Sequence, residues 1–456
     1  CKLVYYLRVF CLYCLLKWVN FAIVVQYYKK QLMAWIAEII FGLITLGAFF
    51  LFGKNLWAIR KNILIGKPVN LSGDSMERWK QVALLAFGQK KMFKNPLVAI
   101  LHLFVYIGFI IINIELLEII VDGLTGSHRA FAPLLGDCYA FLINSFEVLA
   151  GLVVFAVIIF FIRRNFMTIK RLISKDLNGW PRSDANYILI IEIILMSLFL
   201  TMNAADPEAH FILSSYIKPL LNGFNESQLA TIEHTAWWMH IIGIYAFMNY
   251  LPYSKHLHII LAFPNAYYAS LEPKGKMHNM ESVQNEVLYA MQPELAPVDA
   301  AAPDKFGAKD VMDLSWKNLM DAYSCTECGR CSAACPANLT GKLLSPRTIM
   351  MKTRDRLEEV GKQIQKNAEW KEDGKSLLHD YISVEELRAC TTCNACVEEC
   401  PVSISPLDII IELRRSLVME ESNAPAEWNG MFSNIENNFA PWKFSPDDRD
   451  AWTNQA

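Results

Sequence analysis

The chain has 456 residues, of which 54% are hydrophobic and only 19% charged, and its net charge is −2. That length leaves room for two or three domains, and that apolarity suits a membrane protein joined to a soluble part. A charge balance this close to neutral excludes a global field for nucleic acid, and eight of the twelve cysteines in two compact runs point to metal in a reducing compartment, not to disulfide staples.

In chain order, the first 32 residues are apolar enough for a span or a signal sequence, but Arg8 and Lys17 interrupt the run, Lys29 and Lys30 follow it, and no small-residue cleavage site is evident. Residues 1–32 are expected to be an N-terminal extension, either translated upstream sequence or an extra helix without catalytic consequence, in which Cys11 and Cys14 hold no metal.

A bilayer core needs roughly 20 predominantly apolar residues per helix. Four stretches qualify, at 34–59, 97–121, 138–162 and 186–204, and a fifth at 235–262 is apolar except around Lys255, His256 and His258. The loop between the first and second stretches is basic (Arg60, Lys61, Lys67, Arg78, Lys90, Lys94), as is the one between the third and fourth (Arg163, Arg164, Lys170, Arg171, Lys175). The positive-inside rule makes both cytoplasmic, and the polar half after the fifth stretch with them. The expected localisation is therefore the inner (cytoplasmic) membrane, multi-pass, with lipid as a partner. The organisation expected is a transmembrane domain over 33–262, a Pro/Ala-rich linker over 263–310, a helical soluble domain over 311–420 and a tail over 421–456.

The soluble domain carries CTECGRCSAACP, with Cys325, Cys328, Cys331 and Cys335 before Pro336, and CTTCNACVEECP, with Cys390, Cys393, Cys396 and Cys400 before Pro401. Three thiolates spaced this way wrap one cubane cluster, and the fourth reaches the other cluster in a two-cluster ferredoxin. On that crossed pattern Cys325, Cys328, Cys331 and Cys400 hold one [4Fe-4S] cluster, and Cys390, Cys393, Cys396 and Cys335 hold the second. Structural zinc has no use for a third close cysteine and a trailing proline twice over.

In the apolar half, His240 and His258 stand 18 positions apart, five turns of a continuous helix, which places them on one face about 27 Å apart. His102 on the second stretch enters to about the depth of His258, and two facing imidazoles at matched depth suit axial ligation of a b-type haem. Glu115, Glu118, Asp206, Glu208 and His210 lie toward the outside end and are candidates for handling quinol protons.

The long helical insert between the cysteine runs resembles the α-helical ferredoxin domain of succinate dehydrogenase iron–sulfur subunits and of C-type heterodisulfide reductase subunits. HIIGIYAFMNYLPYSKHLH, residues 240–258, looks like the last transmembrane helix of the nitrate reductase gamma subunit, matching at His240, Pro252, Tyr253, Ser254, Lys255 and His258. That resemblance implies haem ligation by the two histidines, with Lys255 beside a haem propionate. The family has two histidines on its second span, whereas this chain has His102 and then Asn113, Glu115 and Glu118. The haem at His102 and His258 is thus the better supported, and a second at His240 needs a substitute ligand such as His128 or His210.

Together these parts resemble membrane electron carriers related to heterodisulfide reductase, a group that includes electron-transfer-flavoprotein:menaquinone oxidoreductases. The implied fold is all-α, a five-helix cytochrome b-type bundle followed by a cytoplasmic α-helical ferredoxin domain. The implied function is quinone-linked electron transfer to a cytoplasmic partner. NIENNFAPW, residues 434–442, partly matches the segment that precedes cysteine-rich CCG domains in longer members, and no Cys-Cys pair occurs. The resemblance therefore implies a CCG-domain iron–sulfur subunit on a separate chain, and an electron-transfer flavoprotein, as partners, with Trp428, Trp442 and Trp452 as a docking segment. The rival from another class is a membrane-anchored ferredoxin without its own haem or quinone site.

Overall fold

The computed structural model describes residues 2–71, 73–207, 211–273, 275–297, 305–443, 445–448 and 450–454. Regular structure among them is helical, and the only β pairings are the isolated bridges Lys67 with Ser315 and Leu378 with Ile382. Two compact units divide the chain. One comprises Cys1–Trp57, Met92–Ile169 and Leu177–His256, the other Ala58–Lys91, Lys170–Asp176 and Leu257–Ala456. The basic segments 58–91 and 170–176, expected as loops of the transmembrane domain, thus fold with the second unit.

In the first unit, four helices are long and apolar enough to cross a bilayer: the Gln31–Ile63 part of α1 (Lys2–Ile63), α2 (Pro96–Thr125), α3 (Asp137–Asn165) and α4 (Trp180–Ala205). Residues 2–30 continue α1 without a break. Asn95 opens α2 by accepting from the Val98 amide, Pro96 takes the first-turn position that needs no donor, and Gly126 ends the helix at φ 68°. Glycine sets how closely these helices approach. A methyl on Gly108 would lie 2.5 Å from Val153, and one on Gly123 2.5 Å from the Phe41 ring. The buried seams hold Ile143, Phe146 and Phe199 in one cluster and Phe41, Ile119 and Ile241 in another. Leu46, Phe50 and Phe141 point outward and are exposed, as lipid-facing residues are.

The fifth expected span, 235–262, is not one helix. Helix α5 (Glu226–Tyr250) starts on an Asn225–Gln228 capping box and stops at Tyr250, and α5 is not among the helices apolar enough to span. Two 3-10 turns, Leu251–Tyr253 and Lys255–Leu257, flank Ser254, whose backbone is extended, and α6 (His258–Tyr267) begins afresh. Pro252 cannot donate to a continuing helix, and buried Asp184 captures the break by accepting from the Tyr250 hydroxyl, Ser254 Oγ (2.6 Å) and the Lys255 amide (3.1 Å). The five-turn face expected to align His240 with His258 therefore does not form.

The second unit is built around α7 (Trp316–Ser324), α8 (Arg330–Ala334), α9 (Pro346–Asn367), α10 (Ala395–Glu399) and α11 (Pro406–Arg415), over a core that includes Leu319, Ile349, Leu357, Ile409 and Leu413. Ser315 and Asn318 form the capping box that starts α7, and the helix delivers the chain straight into Cys325. The tail forms α12 (Ala426–Asn438), with Trp428, Phe432 and Ile435 exposed.

Candidate metal centre

The two cysteine runs fold alike. Glu327 and Gly329 have φ of 53° and 70°, and the residues at the same places in the second run, Thr392 and Asn394, have 55° and 60°. Left-handed backbone costs a β-branched threonine most, so loops that hold four such residues are shaped by what they enclose. Cys335 and Cys400 also match, at φ/ψ −75°/119° and −73°/121°, each ending a five-residue helix. Amides turn inward: Thr392 N donates to Cys390 Sγ at 3.4 Å and Ile404 N to Cys400 Sγ at 3.3 Å.

Cysteines of the two runs come together. A small, partly open cavity is lined by Cys335, Cys390, Cys393 and Cys396, with Leu344 and Ile410 among its apolar walls. Cys335 thus meets the thiols of the other run. Cys331 in turn feels the charges of Cys325, Cys328 and Cys400, and also that of Cys396. Burial pushes the Cys325 and Cys396 thiols up to about 12 and Cys400 to about 11, and raises Cys331 and Cys390, with neighbouring thiols adding to the effect in every case. Sulfurs packed this way hold their protons unless a cation replaces them, and that is the chemistry of a metal-binding thiolate set. The donor set fits two [4Fe-4S] clusters. None of the eight cysteines of the two runs is in a disulfide.

Sequence reasoning missed the groups that brace these loops. Lys91 Nζ donates to the Cys400 carbonyl at 3.0 Å, and Arg347, 2% exposed at its side chain, forms an ion pair with Asp176 at 2.7 Å. Lys91 and Asp176 lie in segments that read as loops between spans, so no local pattern marks them.

The other expected site residues sit on other elements. His240 on α5 is buried, and its Nδ1 lies 2.9 Å from the Leu195 carbonyl on α4, an oxygen that can only accept. The proton therefore sits on Nδ1 and the lone pair on Nε2. His102 is partly buried on α2 in the first unit, whereas His258 opens α6 in the second. Lys255 donates Nζ to the Pro181 carbonyl at 2.6 Å and lies 3.8 Å from Asp184, so the protein itself accommodates its charge.

Glu115, Glu118 and Asp206 are all buried, while His210 and Glu208 fall outside the described residues. Arg129 organises this end. It donates to Asp206 at 2.7 Å, to the Tyr139 hydroxyl at 3.2 Å and to Asn203 at 3.3 Å; Tyr139 donates to Glu118 at 3.1 Å, and Asn203 to Glu147 at 3.0 Å. Glu115 Oε2 has no hydrogen-bond partner there. Glu147, the one charged residue in FLINSFEVLAGLVV, was the signal available in the sequence. His128, Asp206 and Glu233 place ligand atoms within 4.8 Å of one another, but Arg129 already occupies Asp206.

Residues 324–404 match a family described as a 4Fe-4S dicluster domain, and residues 274–340 match another of the same description, the two overlapping on the first cysteine run. Over 454 residues the chain is 27% identical to the Bacillus subtilis protein named "Probable iron-sulfur-binding oxidoreductase FadF", covering 92% of this chain and 61% of that one. The chain is similar to iron–sulfur-binding oxidoreductases. It is also 26% identical over 413 residues to the EtfAB:quinone oxidoreductase of Syntrophomonas wolfei, covering 82% of this chain and 53% of the relative. A C-type component of a CoB-CoM heterodisulfide reductase from Methanosarcina acetivorans matches 113 residues at 33% identity, which is 25% of this chain and 56% of that component. The chain thus spans between half and two thirds of the length of these relatives. No solved structure matches it.

Proposed function

We propose that this chain transfers electrons between a membrane quinone pool and a soluble partner, carrying two [4Fe-4S] clusters and haem b. The observation that carries the reading is the convergence of Cys335 with Cys390, Cys393 and Cys396 on one cavity. Clusters held there, and a haem in the apolar unit, would supply one-electron carriers. The chain's own part is to supply thiolates in two crossed sets, to aim amides at Cys390 and Cys400, and to bury Cys325, Cys335 and Cys396.

For the haem, His240 offers a buried imidazole whose Nδ1 donates to the Leu195 carbonyl, an arrangement that fixes a ligating ring. His102 and His258 remain the other ligand candidates, with Lys255 as a neighbouring group. For quinone, the buried Glu115, Glu118 and Asp206 around Arg129 are the proposed proton-handling groups, with His210 beside them in sequence. The relatives named for quinone and heterodisulfide chemistry support a soluble iron–sulfur or electron-transfer-flavoprotein partner.

Cluster content tests the core of this. With Cys335→Ser, the expected loss is the cluster of the second run, and with Cys400→Ser that of the first, each leaving iron at about half of roughly eight atoms per chain. Loss of the cluster of the variant's own run in both cases overturns the crossed assignment. A reduced-minus-oxidised spectrum tests the haem: sharp α and Soret bands should appear in the parent and be lost or reduced in His240→Ala. Their absence from the parent protein favours the tethered ferredoxin instead.

A further inference from the structure

The two cysteine loops share a backbone but not a charge. Around the first, Arg171 Nη1 donates to the Cys328 carbonyl at 3.4 Å, and Arg330, between Cys328 and Cys331, donates to the Lys91 carbonyl at 3.1 Å. Neither guanidinium meets a carboxylate among the described residues. Two further arginines are close, but each is neutralised: Arg347 by Asp176 at 2.7 Å and Arg354 by Glu327 at 2.8 Å. Arg347 also ties segment 170–176 to this loop, since its Nη1 donates to the Arg171 carbonyl at 2.8 Å and to the Glu327 carbonyl at 3.4 Å. That tether is what delivers Arg171 to Cys328.

The second loop has alanine, Ala395, where the first has Arg330. Its basic neighbours are Arg414, which donates to the Leu387 carbonyl at 2.9 Å and to the Cys390 carbonyl, and Lys91, which donates to the Val397 carbonyl at 3.4 Å and to that of Cys400, a ligand of the first site, at 3.0 Å. Amide bonds to sulfur do not separate the sites, because Cys390 and Cys400 each accept one at closely similar distance, 3.4 and 3.3 Å. Exposure acts the other way, through the exposed thiol Cys393. Water at one edge orients only in response to charge, whereas two fixed guanidinium charges against the loop act on every electron that arrives. Taking up an electron adds a negative charge, so fixed positive charge favours the reduced form.

We propose that the site of Cys325, Cys328, Cys331 and Cys400 has the higher reduction potential of the two, set by Arg171 and Arg330, so that an electron in the soluble unit rests there. This deepens the two-cluster reading and depends on it. Arg171 and Arg330 are positioning residues, acting through the loop and its field.

The test is a redox titration of the full chain in detergent, followed by electron paramagnetic resonance, on the parent and on Arg171→Gln, Arg330→Gln, Arg171→Lys and Arg414→Gln. The parent should show two waves. Arg171→Gln and Arg330→Gln should each lower only the higher wave, by about tenfold in its reduction equilibrium, which for one electron is about 59 mV. Arg171→Lys keeps the charge and should leave both waves in place, while Arg414→Gln should lower only the other wave. The inference is overturned if the arginine variants move the lower wave, move both equally or move neither while iron stays at the parent level. If a glutamine variant loses iron, the question passes to Arg414→Gln, and a shift of the higher wave there also overturns it. A parent without any cluster signal sinks the two-cluster reading itself, a result distinct from every one of these.

Discussion

Arg356 is a charge with no solvent at all: its side chain is 0% exposed, and it is held by Asp310 and Asp373, both at 2.6 Å. Removing one side of a buried ionic group leaves the other uncompensated, at a cost of about 3–5 kcal/mol. Both aspartates keep some contact with water, at 17% and 25% exposure, so Arg356→Met should fall at the low end, about 3 kcal/mol. Urea denaturation followed by far-ultraviolet circular dichroism checks this, and a loss under about 1 kcal/mol would contradict it.

His128 provides a pH-dependent contact at the same scale. Its hydrogen bond to Asp206, 3.5 Å away, raises its pKa above the ordinary 6.5, with burial and Arg129 opposing. A histidine raised in the folded state stabilises fully below its unfolded pKa and loses that contribution as pH rises through the folded value. The parent should therefore lose thermal stability as pH rises above about 6.5 relative to His128→Gln, which lacks the titration. The side chain is 60% exposed, so the difference should stay below about 1 kcal/mol. A parent that gains stability over that window relative to the variant contradicts the sign.

Among the elements, the break between α5 and α6 has the most to say about legibility. Pro252, Ser254 and Lys255 stand out in the sequence, where they read as the surroundings of a haem on an unbroken helix. The structure uses Ser254 and Lys255 to engage Asp184, which lies 70 and 71 positions earlier in the chain. Periodicity reports neighbours three or four positions apart and is blind to such a partner, so the apolar run looks continuous. The cysteine runs are legible for the opposite reason: ligand spacing is itself a local signal, and the expectation that Cys335 joins the thiols of the other run follows from it. The arginines are not legible, because Arg171 and Arg347 belong to segments with no shared pattern. At the break, Asp184→Ala leaves the Tyr250 hydroxyl, Ser254 Oγ and the Lys255 amide without their acceptor. Unsatisfied buried donors cost about 1–3 kcal/mol, and the solubilised variant should melt earlier by a corresponding margin. Melting unchanged from the parent would show that the break holds without Asp184.

At the scale of the whole molecule, we propose an orientation in the bilayer from the distribution of charge. The segments before α2 and after α3 carry the basic residues, Lys90, Lys91 and Lys94 on one side and Arg163, Arg164, Lys170 and Arg171 on the other, and the positive-inside rule assigns both ends to the cytoplasmic face. On this proposal the turn joining α2 to α3 emerges outside. It leads into Cys138, an exposed thiol at the start of α3. A membrane-impermeant maleimide applied to intact spheroplasts should label this chain, and Cys138→Ser should lose that labelling, while lysis should add no further reaction at Cys138. The cluster thiols serve as the internal contrast, since under this orientation they react only after lysis and removal of iron. If Cys138 reacts only after lysis, the basic segments lie outside, and the soluble partner has to be sought on the other face of the membrane.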